Sequence, residues 1–133
     1  MKCKLIILLL SIMCTILCLC SCQQKNVHIN KEKSFFSDYK VEDGKVYIYC
    51  SLVIENPTEA EINVALQACF SDDVKNGLLQ ESMVDGYLID GETKTFQLKN
   101  GENQLDIVFI GLHAGGKQKH DRTLPDIEII KVK

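Results

Sequence analysis

The chain has 133 residues, with 15 Lys and Arg against 18 Asp and Glu and a formal net charge of −3. That length allows one domain with a short extension. The acidic balance excludes general nucleic-acid binding, which needs basic surface to neutralise phosphates, and it excludes a polybasic membrane patch on the same grounds.

The first stretch has a strong polarity. Met1-Lys2-Cys3-Lys4 is a short basic start, and Leu5 to Leu19 is an apolar run interrupted only by Ser11 and Thr15. Positive charge followed by a short apolar segment is the layout of an export signal. A membrane-spanning helix needs about 20 apolar residues, and this run stops sooner, at Cys22-Gln23-Gln24-Lys25-Asn26. An ordinary secretory signal and a retained helix are the competing readings. The junction Leu19-Cys20-Ser21-Cys22 resembles the lipobox of bacterial lipoproteins, with a small residue just before the cysteine. Cys18 and Cys20 each follow a leucine and fit that motif less well. The resemblance implies a diacylglyceryl thioether on Cys22, removal of residues 1–21, and acyl chains (palmitate among them) that hold the protein at the extracytoplasmic face of the cell membrane. In a Gram-negative cell the destination would be the outer membrane, because Gln23 is not the aspartate linked to inner-membrane retention. Two or more acyl chains anchor stably where one is marginal.

Loss of residues 1–21 would remove Lys2 and Lys4 and no acid, leaving 13 basic against 18 acidic residues, a net −5. It would also remove Cys3, Cys14, Cys18 and Cys20 of the 7 cysteines, and Cys22 would carry lipid. Cys50 and Cys69 alone cannot supply a disulfide framework, so the core must be apolar. Residues 22–33 read as the lipidated cysteine and a polar tether. Residues 34–133 then read as the folded domain.

Within that domain, period-two alternation predicts strands. Val46–Ile54 places Val46, Ile48, Cys50, Leu52 and Ile54 on one face, and Ile62–Phe70 places Ile62, Val64, Leu66, Ala68 and Phe70 on one face. Asn56-Pro57-Thr58-Glu59 turns the chain between them. Further strands are expected at Leu78–Val84, Lys94–Leu98, Gln104–Ile110 and Ile127–Val132, with a weaker first strand at Phe35–Val41. Asp43-Gly44, Asn76-Gly77, Asp85-Gly86, Asp90-Gly91 and Asn100-Gly101 supply turn chemistry, since both residue types tolerate positive φ. The clearest hairpin is expected around Asn100-Gly101. No segment sustains a helical period. About six to eight short strands with regular turns indicate an all-β fold, an Ig-like antiparallel sandwich of two sheets, with a barrel as the alternative. Glu55-Asn56-Pro57-Thr58-Glu59-Ala60-Glu61 between two strands resembles a turn common in small bacterial Ig-like modules. The run from Phe96 to Asn103 resembles another, and both imply the fold rather than a function.

If Val46–Ile54 and Ile62–Phe70 paired as a hairpin with apolar faces inward, Cys50 would point in and Cys69 out, which favours two free thiols over a disulfide. Gly111 to Lys117 matches G-x-x-x-x-G-K, but Gln118 stands where a P-loop needs Ser or Thr, and Pro125 leaves little room for the helix. His113, His120 and Asp121 match no usual zinc spacing, so neither metal nor cofactor is expected. Asp72, Asp73, Asp85, Asp90 and Glu92 read as turn residues, and His28 as a solvated tether residue. No nucleophile motif appears, so an enzyme is not expected. The stretch 111–122 carries Lys117, Lys119, His120 and Arg122 on an acidic chain and is the candidate ligand-binding loop. Arg122 has two readings, as the direct ligand contact or as the partner of Asp121 or another acid. The function expected is a lipid-anchored, non-catalytic module that binds a protein, peptide or envelope component. A protective or transporter-accessory lipoprotein that sequesters a peptide or small ligand is the alternative, and a small hydrolase comes third.

Overall fold

The computed structural model describes residues 26–117 and 122–133. Cys22, Lys119, His120 and Asp121 lie outside the described residues, as does the leader. Strand makes up 57% of the structure and helix 5%, so the fold is all-β, an antiparallel, nearly closed arrangement of eight strands in two layers.

Among the described residues the strands are β1 (His28–Ile29), β2 (Phe35–Glu42), β3 (Lys45–Asn56), β4 (Ile62–Cys69), β5 (Met83–Leu88), β6 (Phe96–Leu98), β7 (Gly101–Leu112) and β8 (Asp126–Lys131), with one short helix, α1 (Ser71–Lys75). In the first layer β3 pairs with β7 along its whole length, and β1 and β2 share its other edge. In the second layer β4 lies between β8 on one side and β6 and β5 on the other. β5 belongs to both layers. Its first half, Met83–Asp85, pairs with β4, and its second half, Gly86–Leu88, pairs with β7.

Alternation in β3 and β4 sets the core. Val46, Ile48, Cys50, Leu52 and Ile54 face Val64, Leu66, Ala68 and Phe70 across the gap, and β7 adds Ile107 and Phe109. Phe70 meets Phe109 edge to face at 5.8 Å between ring centroids, a favoured aromatic geometry.

Several expectations change in the folded chain. β3 and β4 form no hairpin; they sit in different layers, and the chain crosses between them at Asn56. Asn100-Gly101 likewise joins β6 in one layer to β7 in the other. The free thiols and their directions still come out as expected, Cys50 buried and Cys69 exposed, because orientation follows from each strand's own pleat. Leu78 and Leu79 are buried but stand outside any named strand, and the strand expected at Leu78–Val84 begins at Met83. Asp85-Gly86 is not a turn. Gly86 lies inside β5, where a Cβ would stand 3.0 Å from Phe109 Cε1 and 3.1 Å from Ile107 Cγ2, so glycine lets β5 cross the core edge without displacing either side chain. Asp72 and Asp73 open a helical turn instead of a plain loop. By contrast Asp43 and Gly44, at φ 51° and 74°, make the two-residue turn expected between β2 and β3.

The tether expected over 22–33 is shorter than that. Val27 and Ile29 pack against the core and His28–Ile29 pairs with Ile54–Glu55. Ser34 fills the gap between β1 and β2: its hydroxyl donates to Asn30 O at 2.7 Å and accepts from the Val53 N–H at 2.9 Å. His28 is no solvated tether residue, since its Nε2 stands 2.8 Å from Glu55 Oε2.

Ile48, Leu66 and Phe109 are each at most 1% exposed. Alanine at any one of them should cost about 2–5 kcal/mol, read as a fall in the urea midpoint with an unchanged m-value.

Candidate interaction site

Gly111, Ala114, Gly115 and Gly116 of the candidate loop carry little or no side chain, which leaves room beside the backbone. Within the described residues the chain itself uses that space. The Gly116 N–H donates to Gly77 O at 2.7 Å, and a Cβ on Gly116 would fall 2.5 Å from that oxygen. The Ala114 N–H donates to Leu78 O, and the Gln80 N–H to Leu112 O. His113 Nε2 lies 2.8 Å from Gly116 O, which occupies one nitrogen of a residue considered for metal. Gly111 leaves room for Leu79, whose Cδ2 would be 2.8 Å from an added Cβ. The segment is therefore laced to residues 77–80; close packing accounts for Gly111 and Gly116, and a positive φ of 97° for Gly115.

Arg122 turns inward. Its two terminal nitrogens grip Asp73 of α1, Nη1 to Oδ2 at 3.0 Å and Nη2 to Oδ1 at 2.5 Å. The side chains are only 10% and 16% exposed. The guanidinium also lies 5.8 Å from the Phe36 ring centroid and 5.9 Å from that of Phe70, so it touches β2 and the end of β4 at once. A planar, bidentate fork stacked on aromatic rings is what arginine supplies and lysine does not. Of the two readings of Arg122, the ion pair is the one the structure displays, with Asp73 as the acid. Lys117 is exposed.

One cleft adjoins this pair, and a second shares Leu124, Pro125 and Asp126 with it. One, of about 620 Å³, lies beside α1 and is lined by Cys69, Asp72, Asp73 and Arg122. The other, of about 730 Å³, runs between β1 and β8 and is lined by Val27, Ile29, Lys31, Leu124, Ile127 and Ile129. This second cleft is where the two layers fail to meet. β8 pairs only with β4, and β1 only with β3, so each offers an unpaired edge among the described strands. Sequence reasoning missed the cleft. The alternation of 127–132 gave a strand, but no residue in it says which neighbour that strand lacks.

Asp85, Asp90 and Cys50, each considered for chemistry, serve the structure instead. Gln67 donates to Asp85 at 2.9 Å and Lys94 lies 3.3 Å away, and these hydrogen bonds hold the Asp85 carboxyl below its ordinary range. Asp90 is held low chiefly by the Thr93 hydroxyl, with backbone N–H groups of Thr93 and Glu92 adding to it. Burial pushes the Cys50 thiol up to about 12, which makes it a core residue rather than a nucleophile. Among the described residues no cluster of three or more His, Cys, Asp or Glu is placed to hold a metal, and no helix is long and apolar enough to cross a membrane.

Replacing Arg122 by alanine should cost about 3 kcal/mol, because it strands a mostly buried Asp73. Asp73→Asn in the same background should then cost little more, and a thermodynamic cycle from denaturant unfolding checks the coupling. Comparison with protein-family models, with curated proteins and with solved structures finds no match in any of the three.

Proposed function

We propose that this chain is an exported lipoprotein, anchored through a diacylglyceryl group on Cys22, whose all-β domain is a non-catalytic interaction module. The observation that carries the anchor is the Leu19-Cys20-Ser21-Cys22 junction after a basic start and an apolar run. The β1 pairing adds a consequence. β1 begins at His28, so the link from Cys22 to the fold reaches no more than about 20 Å even when fully extended. The domain then works close to the bilayer, with the β1–β8 cleft on the part of the fold nearest its anchor.

Support for an interaction module over an enzyme comes from how the polar side chains are used. Asp73, Asp85 and Asp90 each brace a turn, helix or strand through partners of their own, while the larger cleft presents apolar side chains and strand edges. That cleft also favours the second reading, a protective or transporter-accessory lipoprotein that sequesters a peptide.

Mass spectrometry of the membrane-extracted protein should show a mature N-terminus at Cys22 bearing acyl mass. Cys22→Ala should accumulate as an uncleaved precursor without acyl mass. A wild-type chain processed normally and carrying no acyl group would refute the anchor.

A further inference from the structure

We propose that the slot between β8 and β1 accepts an extended peptide as an added strand, with apolar side chains at alternate positions and lysine or arginine between them. This rests on the interaction-module reading above, but not on the lipid.

The main chain makes the first argument. The Val132 N–H donates to Asn63 O at 2.9 Å. In an antiparallel ladder the residues that exchange such bonds alternate with residues whose N–H and C=O point the other way. In the register of β8 with β4, Ile127, Ile129 and Lys131 therefore turn their main-chain groups away from β4, toward the open side. The same alternation applies on the opposite wall. The Asn30 N–H donates to Val53 O at 2.8 Å, so Ile29 turns its N–H and C=O away from β3. Both walls thus offer backbone donors and acceptors to whatever lies between them, and an extended backbone matches that row. β8 carries no proline and its register with β4 has no bulge, whereas β2 has a bulge between Phe36 and Asp38; what guards β8 is charge alone, the exposed Asp126, Glu128 and Lys131.

Side chains set the chemistry of the occupant. Ile127 and Ile129 face the core and are only partly buried, and Val27, Ile29 and Leu124 continue that floor. An inserted strand would cover them with every second residue. The intervening residues would point outward, beside Asp126 and Glu128 on β8 and near Glu55 and Glu32 across the cleft. Among the described residues, Lys31 and the His28 that bonds Glu55 are the only basic side chains lining the cleft. Opposite charges on neighbouring strands stabilise pairing, so cationic residues fit the outward positions.

The test uses the full-length processed protein in zwitterionic lipid nanodiscs, with empty nanodiscs as the blank. The probe is a synthetic alternating Val-Lys peptide of about eight residues, an ordinary strand length. It should bind, and it should slow amide exchange at Ile127, Ile129 and Lys131. Methylating its alternate backbone nitrogens should weaken binding at least about tenfold, since each blocked N–H removes a strand bond. Asp126→Lys with Glu128→Lys, both exposed, should weaken it about fivefold and favour a Val-Glu peptide instead. Equal binding by the methylated peptide, or by one of the same composition with its valines clustered, would overturn the proposal. So would β8 amides already protected without peptide because two copies of the chain pair edge to edge. Failure here with acyl mass on Cys22 would leave the anchor standing; peptide binding by a chain without acyl mass would leave the slot standing.

Discussion

Asn56 ties the two layers together. Its side chain is fully buried, and every polar atom on it is used. Nδ2 donates to Ala60 O at 2.9 Å and to Leu98 O at 3.4 Å, while Oδ1 accepts from the Thr58 N–H at 3.1 Å and the Thr58 hydroxyl at 2.7 Å. A buried amide left unpaired is costly, and one fully paired fixes a conformation. This one bends the chain out of β3, starts the crossing to β4 and holds the end of β6. The second crossing is built against the first. Asn56 pairs with Gly101 at the start of β7, and Asn100 donates to Thr58 O at 2.6 Å. These two transfers between layers thus occur at one end of the sandwich, around one side chain; the third, from β7 to β8, leaves from the other end of β7.

The rest of the architecture follows from that constraint. With β3 and β7 in one layer and β4 and β6 in the other, the apolar faces of β3 and β4 must meet across a core rather than lie side by side. β5 closes one flank by pairing with both layers, and Gly86 permits it. Among the described residues the opposite flank has no such strand. There Arg122 bridges α1, β2 and the end of β4 through Asp73 and two phenylalanine rings, and the slot between β8 and β1 lies beyond it. The feature best suited to recognition is therefore a by-product of topology: a sandwich closed by one strand on one side leaves two edges facing each other on the other.

Much of this was legible in the sequence, and the rest was not, for identifiable reasons. Alternation named the core side of β3, β4 and β7, because a strand's pleat needs no knowledge of its neighbours. Cys50 and Cys69 came out correctly oriented even though the hairpin invoked for them does not exist. Pairing partners were hidden, since β3 contacts β7 across some fifty residues and nothing local specifies that choice. Asp85-Gly86 looked like a turn because Asx-Gly is turn chemistry; steric need at the core edge selects the same glycine. The basic cluster at 117–122 suggested a ligand loop, but Asp73, the acid that Arg122 meets, is 49 positions away. The polar run before residue 34 hid Val27 and Ile29, two apolar residues being too few to show a period.

The central claim is that hydrogen bonding at Asn56, and not its bulk, holds the two layers in register. Asn56→Leu isolates the two effects, since leucine brings more apolar surface to a buried site and no hydrogen bonds. Equilibrium unfolding in urea should show a loss of about 2–4 kcal/mol, from several backbone groups left without partners, with faster amide exchange at Thr58 and across β6. A variant as stable as the natural chain, or more stable, would contradict the account and assign the join between the layers to apolar packing.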